Sequence, residues 1–501
     1  MHLENVVIHL FNVILALIIA KKLFPKAPLW IVYLTAFIFA SHPINTEAVD
    51  WISARTDLLA GFFSLLGFAF LIKKKIPYIT ISAISFLAGL LCKESAIGFI
   101  LFAFIFVFFF YKEEFSLKQK LFFTFVFILA LACYFFMRYP ELRFWNIKEK
   151  AIIPNIIPKG KATAPISVTY TIGVFFKVIG FYFKKLFIPW PLNFAITKIN
   201  KTFYLFFGIF VLLLIAYSLV KEKNGVSMSL TWSLCFMLVA VIVALKRLAW
   251  TPLAERYVYI SSFGMALFVG YTMLKVNKLD SLRLKKAVFS AIGIYASVFV
   301  ISTAYRNYIW KDNYRLYLDT VKKSPDFGPA HNELAIALLA KGRKEEARKE
   351  FEIAAKLTKG SPMSLIAESN VLMLEQEKAD PEKLLPQYDM LINKSGDNKN
   401  IKCTILRSAI KYISHVVLDK KISEKERYML YKKEIEYFKK LAPLENKAFC
   451  CYRIGQLYLA LGNKKKAVPY FKRAYELADK DAYFKKPAYK LFKKISLEIG
   501  K

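Results

Sequence analysis

The stretch Ser41-His-Pro-Ile-Asn-Thr-Glu-Ala-Val-Asp-Trp-Ile-Ser-Ala-Arg-Thr-Asp57 gathers side chains that move protons and hold anions. It sets His42, Glu47, Asp50, Arg55 and Asp57 between two apolar runs. Pro43 breaks an incoming helix. From Glu47 the spacing suits a new helix, with Asp50 one turn on and Asp57 at the apolar edge. Charges beside a membrane interior are costly and usually functional. The plainer reading is a solvated loop in which Arg55 pairs with an acid. A second cluster, Lys93-Glu94-Ser95, joins two closely spaced apolar runs. Lys93 is either a point charge for a phosphate, positioned by Glu94, or half of a turn salt bridge. A third, Lys246-Arg-Leu-Ala-Trp-Thr-Pro-Leu-Ala-Glu-Arg-Tyr257, brings Lys246, Arg247, Glu255 and Arg256. Arginine grips phosphate through two N–H groups. Snorkelling accounts well for Lys246 and Arg247, and less well for Glu255 and Arg256, which directly precede an apolar run. His9 and Asn12, one turn apart in the first apolar stretch, suit helix-packing hydrogen bonds. The sequence holds no GxSxG, P-loop or HExxH and no metal-ligand cluster, so no cofactor is implied and a divalent metal stays open.

The elements that carry these clusters are apolar. Of 501 residues, 56% are hydrophobic and 16% aromatic, against roughly 45–50% apolar in soluble domains. Runs 97–111 and 121–137 carry no charge. A span needs about 20 mostly apolar residues, which predicts about ten spans near 5–23, 27–41, 57–72, 76–92, 95–111, 120–138, 202–220, 227–245, 257–275 and 284–304. Trp30, Trp51, Trp190 and Trp250 sit near the ends of apolar runs, as interfacial anchors do. Segment 167–190 is apolar but broken by Lys177, Lys184 and Lys185. It reads as an interfacial or re-entrant helix, with a true span as the second reading. The first apolar stretch lacks the basic flank and cleavage site of a signal peptide.

A net charge of +36 would suggest nucleic acid in a soluble protein. Here the lysines flank apolar runs and form no single basic helix, so they read as topology signals and nucleic acid is not expected. Lys-rich short loops at 21–26, 73–75, 112–120, 221–223 and 275–286 mark one side as cytoplasmic, provided 167–190 does not cross or crosses twice. The three charged clusters then share the opposite face, as does the C-terminal region. Six cysteines without a CxxC pair suggest neither zinc nor a disulfide framework.

Beyond about residue 311 apolar residues recur at helical spacing among charges. His331, Leu334, Ala335, Leu338, Gly342, Ala347, Phe351 and Ala354 match Cys451, Ile454, Gly455, Tyr458, Gly462, Ala467, Phe471 and Ala474 at identical offsets. This is the tetratricopeptide pattern of roughly 34 residues. Clear repeats lie near 328–361 and 448–481, with room between for about two degenerate helix pairs. The fold class is therefore all-α: a polytopic membrane bundle over 1–310, then a tetratricopeptide α-solenoid over 311–501 that contacts protein.

His-Pro-Ile-Asn-Thr-Glu-Ala-Val (42–49), followed by Ala-Arg-Thr-Asp-Leu-Leu (54–59), resembles a signature of the transmembrane and tetratricopeptide-repeat O-mannosyltransferases. Cys-Lys-Glu-Ser (92–95), Pro-Trp-Pro-Leu (189–192) and Ala-Glu-Arg-Tyr-Val-Tyr (254–259) resemble further motifs of that family, and the resemblance covers nearly the whole chain. It implies a C-type glycosyltransferase bundle, and the expected location of this chain is a bacterial inner membrane. It also implies transfer of a mannose-like sugar from a polyprenyl phosphate to a protein hydroxyl on the extracytoplasmic side, where the repeats also lie. His42, Arg55, Asp57, Lys93, Glu94, Glu255, Arg256 and Tyr257 would frame the donor phosphate. Asn45 stands where the family usually has a second His. Met1-His-Leu-Glu-Asn-Val-Val-Ile-His resembles the start of the family's second span, so the first span and first external loop are expected to be missing. In the family that loop carries the usual catalytic acid, so the base is expected upstream of Met1, with Glu47 or Asp50 as the substitute within this chain. The rival function is a non-catalytic, membrane-anchored repeat scaffold for an envelope complex. A transporter is disfavoured because the charges gather in loops.

Overall fold

The computed structural model describes residues 2–152, 168–199, 201–221, 224–246, 251–375, 380–418 and 422–499. The described chain divides into two compact units, the first ending at Pro325 and the second starting at Asp326. Helix Asn313–Lys323 thus goes with the first unit, beyond the boundary at 310 that the apolar pattern suggests. Among the described residues the one β-type pairing is an isolated bridge between Ile196 and Leu253.

Among the described residues of the first unit seven helices are long and apolar enough to cross a membrane: His2–Leu23, Ile52–Leu71, Leu117–Arg138, Phe203–Lys221, Gly225–Leu245, Glu255–Asn277 and Leu282–Trp310. They become eight if the pair Leu29–Ser41 and Pro43–Asp50, bent by 41°, is one broken span. The expected count of ten is corrected at three places, each with a backbone cause. His42, preceding Pro43, is extended (φ −66, ψ 117) and stops helix Leu29–Ser41 at 13 residues. Lys93 is extended too (φ −163, ψ 143) and ends helix Ile76–Cys92 at 17 residues. Beyond it, Glu94–Phe110 also remains a shorter apolar helix. Seventeen residues rise about 26 Å, short of a hydrocarbon core of about 30 Å.

Helix Glu255–Asn277 is central, and its Tyr259 hydroxyl meets His9 Nδ1 at 2.7 Å and Asn12 Nδ2 at 2.9 Å. These are the packing bonds expected of that polar pair. Trp232 is fully buried among Phe68, Phe102 and Phe263 and donates its indole N–H to Ile260 O at 2.9 Å. Peripheral helices instead present Phe206, Phe210 and Leu213, or Ile294 and Ile301, outward. Segment 168–187 forms helix Val168–Phe187, whose residues 178–183 are buried in the bundle. It crosses helix Phe203–Lys221 at Gly180 and Gly208, where a Cβ would meet Tyr204 O at 2.1 Å and Phe176 O at 2.0 Å. Only glycine allows that approach.

The Lys-rich turns gather at one end of this unit. Lys22 donates to Ala69 O at 3.0 Å, Lys74 pairs with Glu114, and Gln119 reaches Lys74 O at 2.5 Å. Nearby, Phe24 packs edge-on against Tyr271.

The second unit is a run of helices. Gly328–Ala340 with Lys344–Leu357, and Lys447–Ala460 with Lys464–Leu477, form hairpins turned by Gly342 (φ +75) and Gly462 (φ +71), a conformation that favours glycine. Ala347, Phe351 and Ala354 are buried in one, as are Ala467, Phe471 and Ala474 in the other. Between them stand four helices: Pro362–Glu375, Pro381–Lys394, Lys399–Val417 and Glu424–Leu441. Helix Lys485–Ile499 covers the final hairpin with Ala488 and Ile495.

Candidate functional site

The site is built from three breaks in apolar helices. At the first, Pro43 opens a short 3-10 turn followed by helix Thr46–Asp50. His42 accepts from Ile44 N at 3.2 Å through Nδ1, and its Nε2 lies 2.8 Å from Leu186 O. It is buried, and both ring nitrogens are engaged. Asn45 donates to Phe39 O at 2.8 Å and accepts from Ser262 at 3.0 Å, tying the turn to the central helix.

Glu47 projects from this turn into full burial, with 0% exposure. Its Oε1 pairs with Arg256 Nη1, and its Oε2 accepts from the backbone N–H groups of Glu255 (2.9 Å) and Arg256 (3.4 Å). One carboxylate thus caps the turn Glu255–Val258 and neutralises its arginine. The Arg256 guanidinium lies 4.4 Å from the Trp51 ring centroid and 4.7 Å from that of Tyr257.

At the second break, Lys93 donates to Asp57 Oδ2 at 2.5 Å and lies 5.7 Å from the Tyr257 ring centroid. Asp57 is buried, and the Lys93 side chain keeps 25% exposure. At the third, Glu255 Oε1 accepts from Lys185 Nζ at 2.6 Å and from Asn193 N at 2.8 Å. Its Oε2 is buried with no partner among the described residues.

Other expected residues stand apart. Arg55 pairs with Glu4 at 2.5 Å and with Asn5 Oδ1 at 3.3 Å. Glu94 pairs with Arg138 at 2.7 Å on the surface. Asp50 is half-buried and, with the Asn307 amide oriented to suit, accepts from it at 3.1 Å. Arg247 and Trp250 lie outside the described residues, as does the Lys246 side chain.

Four participants escaped the sequence reading. Trp51 looked like a membrane anchor, yet it carries the Arg256 guanidinium. Lys185 looked like a flaw in an apolar run and is buried against Glu255. Asn193 carries no charge and gave no signal. Arg306, 1% exposed, pairs with Asp319 at 2.8 Å while its Nε and Nη2 lack partners among the described residues. Lys185 was findable, because a charge within an apolar run marks a functional site by default, whereas Arg306 lies just beyond the run 284–304.

This arrangement alternates acid and base around Arg256 and Tyr257. It can hold an anion at the edge of an apolar bundle once a carboxylate yields its cation.

Residues 450–481 match the tetratricopeptide repeat family. Protein O-mannosyl-transferase TMTC3 of Homo sapiens is 22% identical over 392 residues, 71% of this chain and 41% of its own length. Protein O-mannosyl-transferase Tmtc2 of Drosophila melanogaster is 31% identical over 147 residues, 27% of this chain and 16% of its own length. The chain is similar to protein O-mannosyl-transferases. It spans less than half the length of these relatives in each match. The crystal structure of yeast Tom70 aligns over 96% of both chains at 11% identity, with a TM-score of 0.22 that establishes no common fold.

Proposed function

We propose that this protein is an integral membrane glycosyltransferase of the C-type superfamily. It transfers a mannose-like sugar from a polyprenyl phosphate to a protein hydroxyl on the extracytoplasmic side of a bacterial inner membrane. The carrying observation is the meeting of three sequence-distant motifs at Arg256, with Glu47, Trp51 and Tyr257 around it and the Asp57–Lys93 pair beside Tyr257. A lipid-linked phosphate needs cations at the edge of an apolar bundle, and the outward-facing Phe206, Phe210 and Leu213 suit lipid contact. The gathering of the Lys-rich turns at one end supports a cytoplasmic assignment for that end. The repeats then recruit the acceptor or a partner protein.

Within the site, Glu47 has both oxygens committed, so its part is to hold Arg256 and the turn behind it. Asp50, which stands apart from Arg256 at the end of the same short helix as Glu47, has no ion pair among the described residues and is the carboxylate best suited to take the acceptor proton. Arg256 and Lys93 are the cations for the phosphate. A scaffold without chemistry draws on one observation: each of these cations already faces a carboxylate.

The test measures sugar transfer from polyprenyl-phosphate mannose, with protein abundance followed in parallel, in Asp50→Asn, Lys93→Gln and Arg256→Lys. Loss of transfer at normal abundance is the expected result. Transfer unchanged in all three, or lacking in the parent chain, would leave the scaffold.

A further inference from the structure

The strongest feature outside the bundle is an open groove of about 730 Å³ in the second unit, between helices Pro381–Lys394 and Glu424–Leu441. Its apolar lining includes Leu385, Pro386, Ile422, Met429 and Leu430. Met429 is 60% exposed, and its flexible apolar side chain can adapt to a partner. Around this lining stand five carboxylates, Asp380, Glu382, Asp389, Glu426 and Glu436, against three lysines, Lys425, Lys432 and Lys433. Lys433 is already shared by Asp389 (2.8 Å) and Glu436 (2.9 Å). Lys432 rests over the Tyr428 ring at 4.4 Å.

The backbone adds to the acceptor excess. Pro386 lies inside helix Pro381–Lys394. Proline has no N–H, so the carbonyl of Glu382 lacks its helical donor at the groove. An acidic, acceptor-rich apolar groove is therefore set into a chain whose net charge is +36. Charge complementarity selects its occupant: a polypeptide with apolar side chains flanked by lysine or arginine.

We propose that this groove binds such a basic, apolar segment of the protein that the repeats recruit. The proposal deepens the recruitment reading and rests on it. Leucine or methionine side chains would sit on Met429 and Leu430, while flanking ammonium groups meet Glu382, Asp380 and Glu426.

The test uses the full chain in discs of zwitterionic lipid, with no sugar donor, so that its outcome does not depend on transfer. The probe is a fluorescein-labelled peptide, Lys-Lys-Leu-Ala-Leu-Leu-Lys-Lys, and the control carries Glu at each Lys position. Empty discs give the background. We expect saturable binding of the basic peptide, weakened by salt, and at least about tenfold weaker binding of the acidic one. Glu382→Lys and Met429→Ser, both at exposed positions, should each weaken binding at least about fivefold. Glu476→Lys, exposed on the last hairpin, should leave it unchanged. Equal binding of the two peptides, or no loss in either groove variant, would overturn the proposal. So would groove variants that convert a dimer of the chain to monomer without touching peptide binding, because the groove would then be a self-interface.

Discussion

At the scale of single residues the site rests on compensated burial. Glu47 and Arg256 are both out of water, and each is tolerable there only because the other is present. Removing one charge strands its partner, at a cost of about 3–5 kcal/mol. Glu47→Gln should therefore lower both the melting temperature and the abundance of the full chain, as well as transfer. Asp50→Asn, at a half-buried carboxylate, should reduce transfer while melting stays within about 2–4 °C of the parent. Differential scanning fluorimetry beside a transfer assay separates the two. If Glu47→Gln melts like the parent, the capping role assigned to Glu47 is wrong. The Lys93 side chain keeps 25% exposure while Asp57 is buried, so Lys93→Gln, which strands the buried carboxylate, should cost more stability than Asp57→Asn, which leaves a lysine able to reach water.

At the scale of elements, backbone contact and helix ends decide what the chain tolerates. Gly208 lies against Phe176 O and Gly180 N, so Gly208→Ala must separate two helices. Overpacking of that kind costs about 1–3 kcal/mol. A Cβ at Gly293 would meet nothing within 4 Å, so Gly293→Ala should be neutral or slightly stabilising. Thermal denaturation of the two variants in micelles provides the comparison, and equal melting would contradict the close crossing. In the repeats, burial raises the Glu434 carboxyl above its ordinary value of 4.5, with Arg453 pulling the other way. A raised folded-state value means its stabilisation is complete below 4.5 and fades as pH rises through the shifted value. The stability of the parent relative to Glu434→Gln should therefore fall as pH rises above 4.5, read by hydrogen exchange in helix Glu424–Leu441. A constant difference across that range would show that Glu434 does not titrate as its burial implies.

At the scale of the whole molecule, the proposed sidedness makes one demand that labelling can meet. In a background with Cys92, Cys133 and Cys403 changed to Ser, Ser53→Cys and Tyr483→Cys should react with an impermeant maleimide added outside spheroplasts. Lys118→Cys should react only after lysis. Ser53, Lys118 and Tyr483 are all exposed, so a difference in labelling reports the side and not burial. Labelling of Lys118→Cys from outside would reverse the assignment.

The sequence by itself determined the helical class, the apolar stretches that include the seven long helices found among the described residues, the two repeat patterns and three separate local runs of acids and bases, at 42–57, 93–95 and 246–257. Those features follow from local composition and periodicity, which act within a turn or two of the chain. It counted ten apolar stretches where seven helices among the described residues are long and apolar enough to cross a membrane, because apolar length does not show where an extended residue such as His42 or Lys93 ends a helix. It also kept Arg55 and Glu94 in one group with Arg256, although they find partners elsewhere. Only the tertiary structure decided that Glu47 is spent on Arg256, that Trp51 carries that guanidinium, and that Lys185 and Arg306 are buried charges. Such pairings join residues up to 209 positions apart. They depend on which helix faces meet, and the free energy of burying a charge is defined only once its partner is in place.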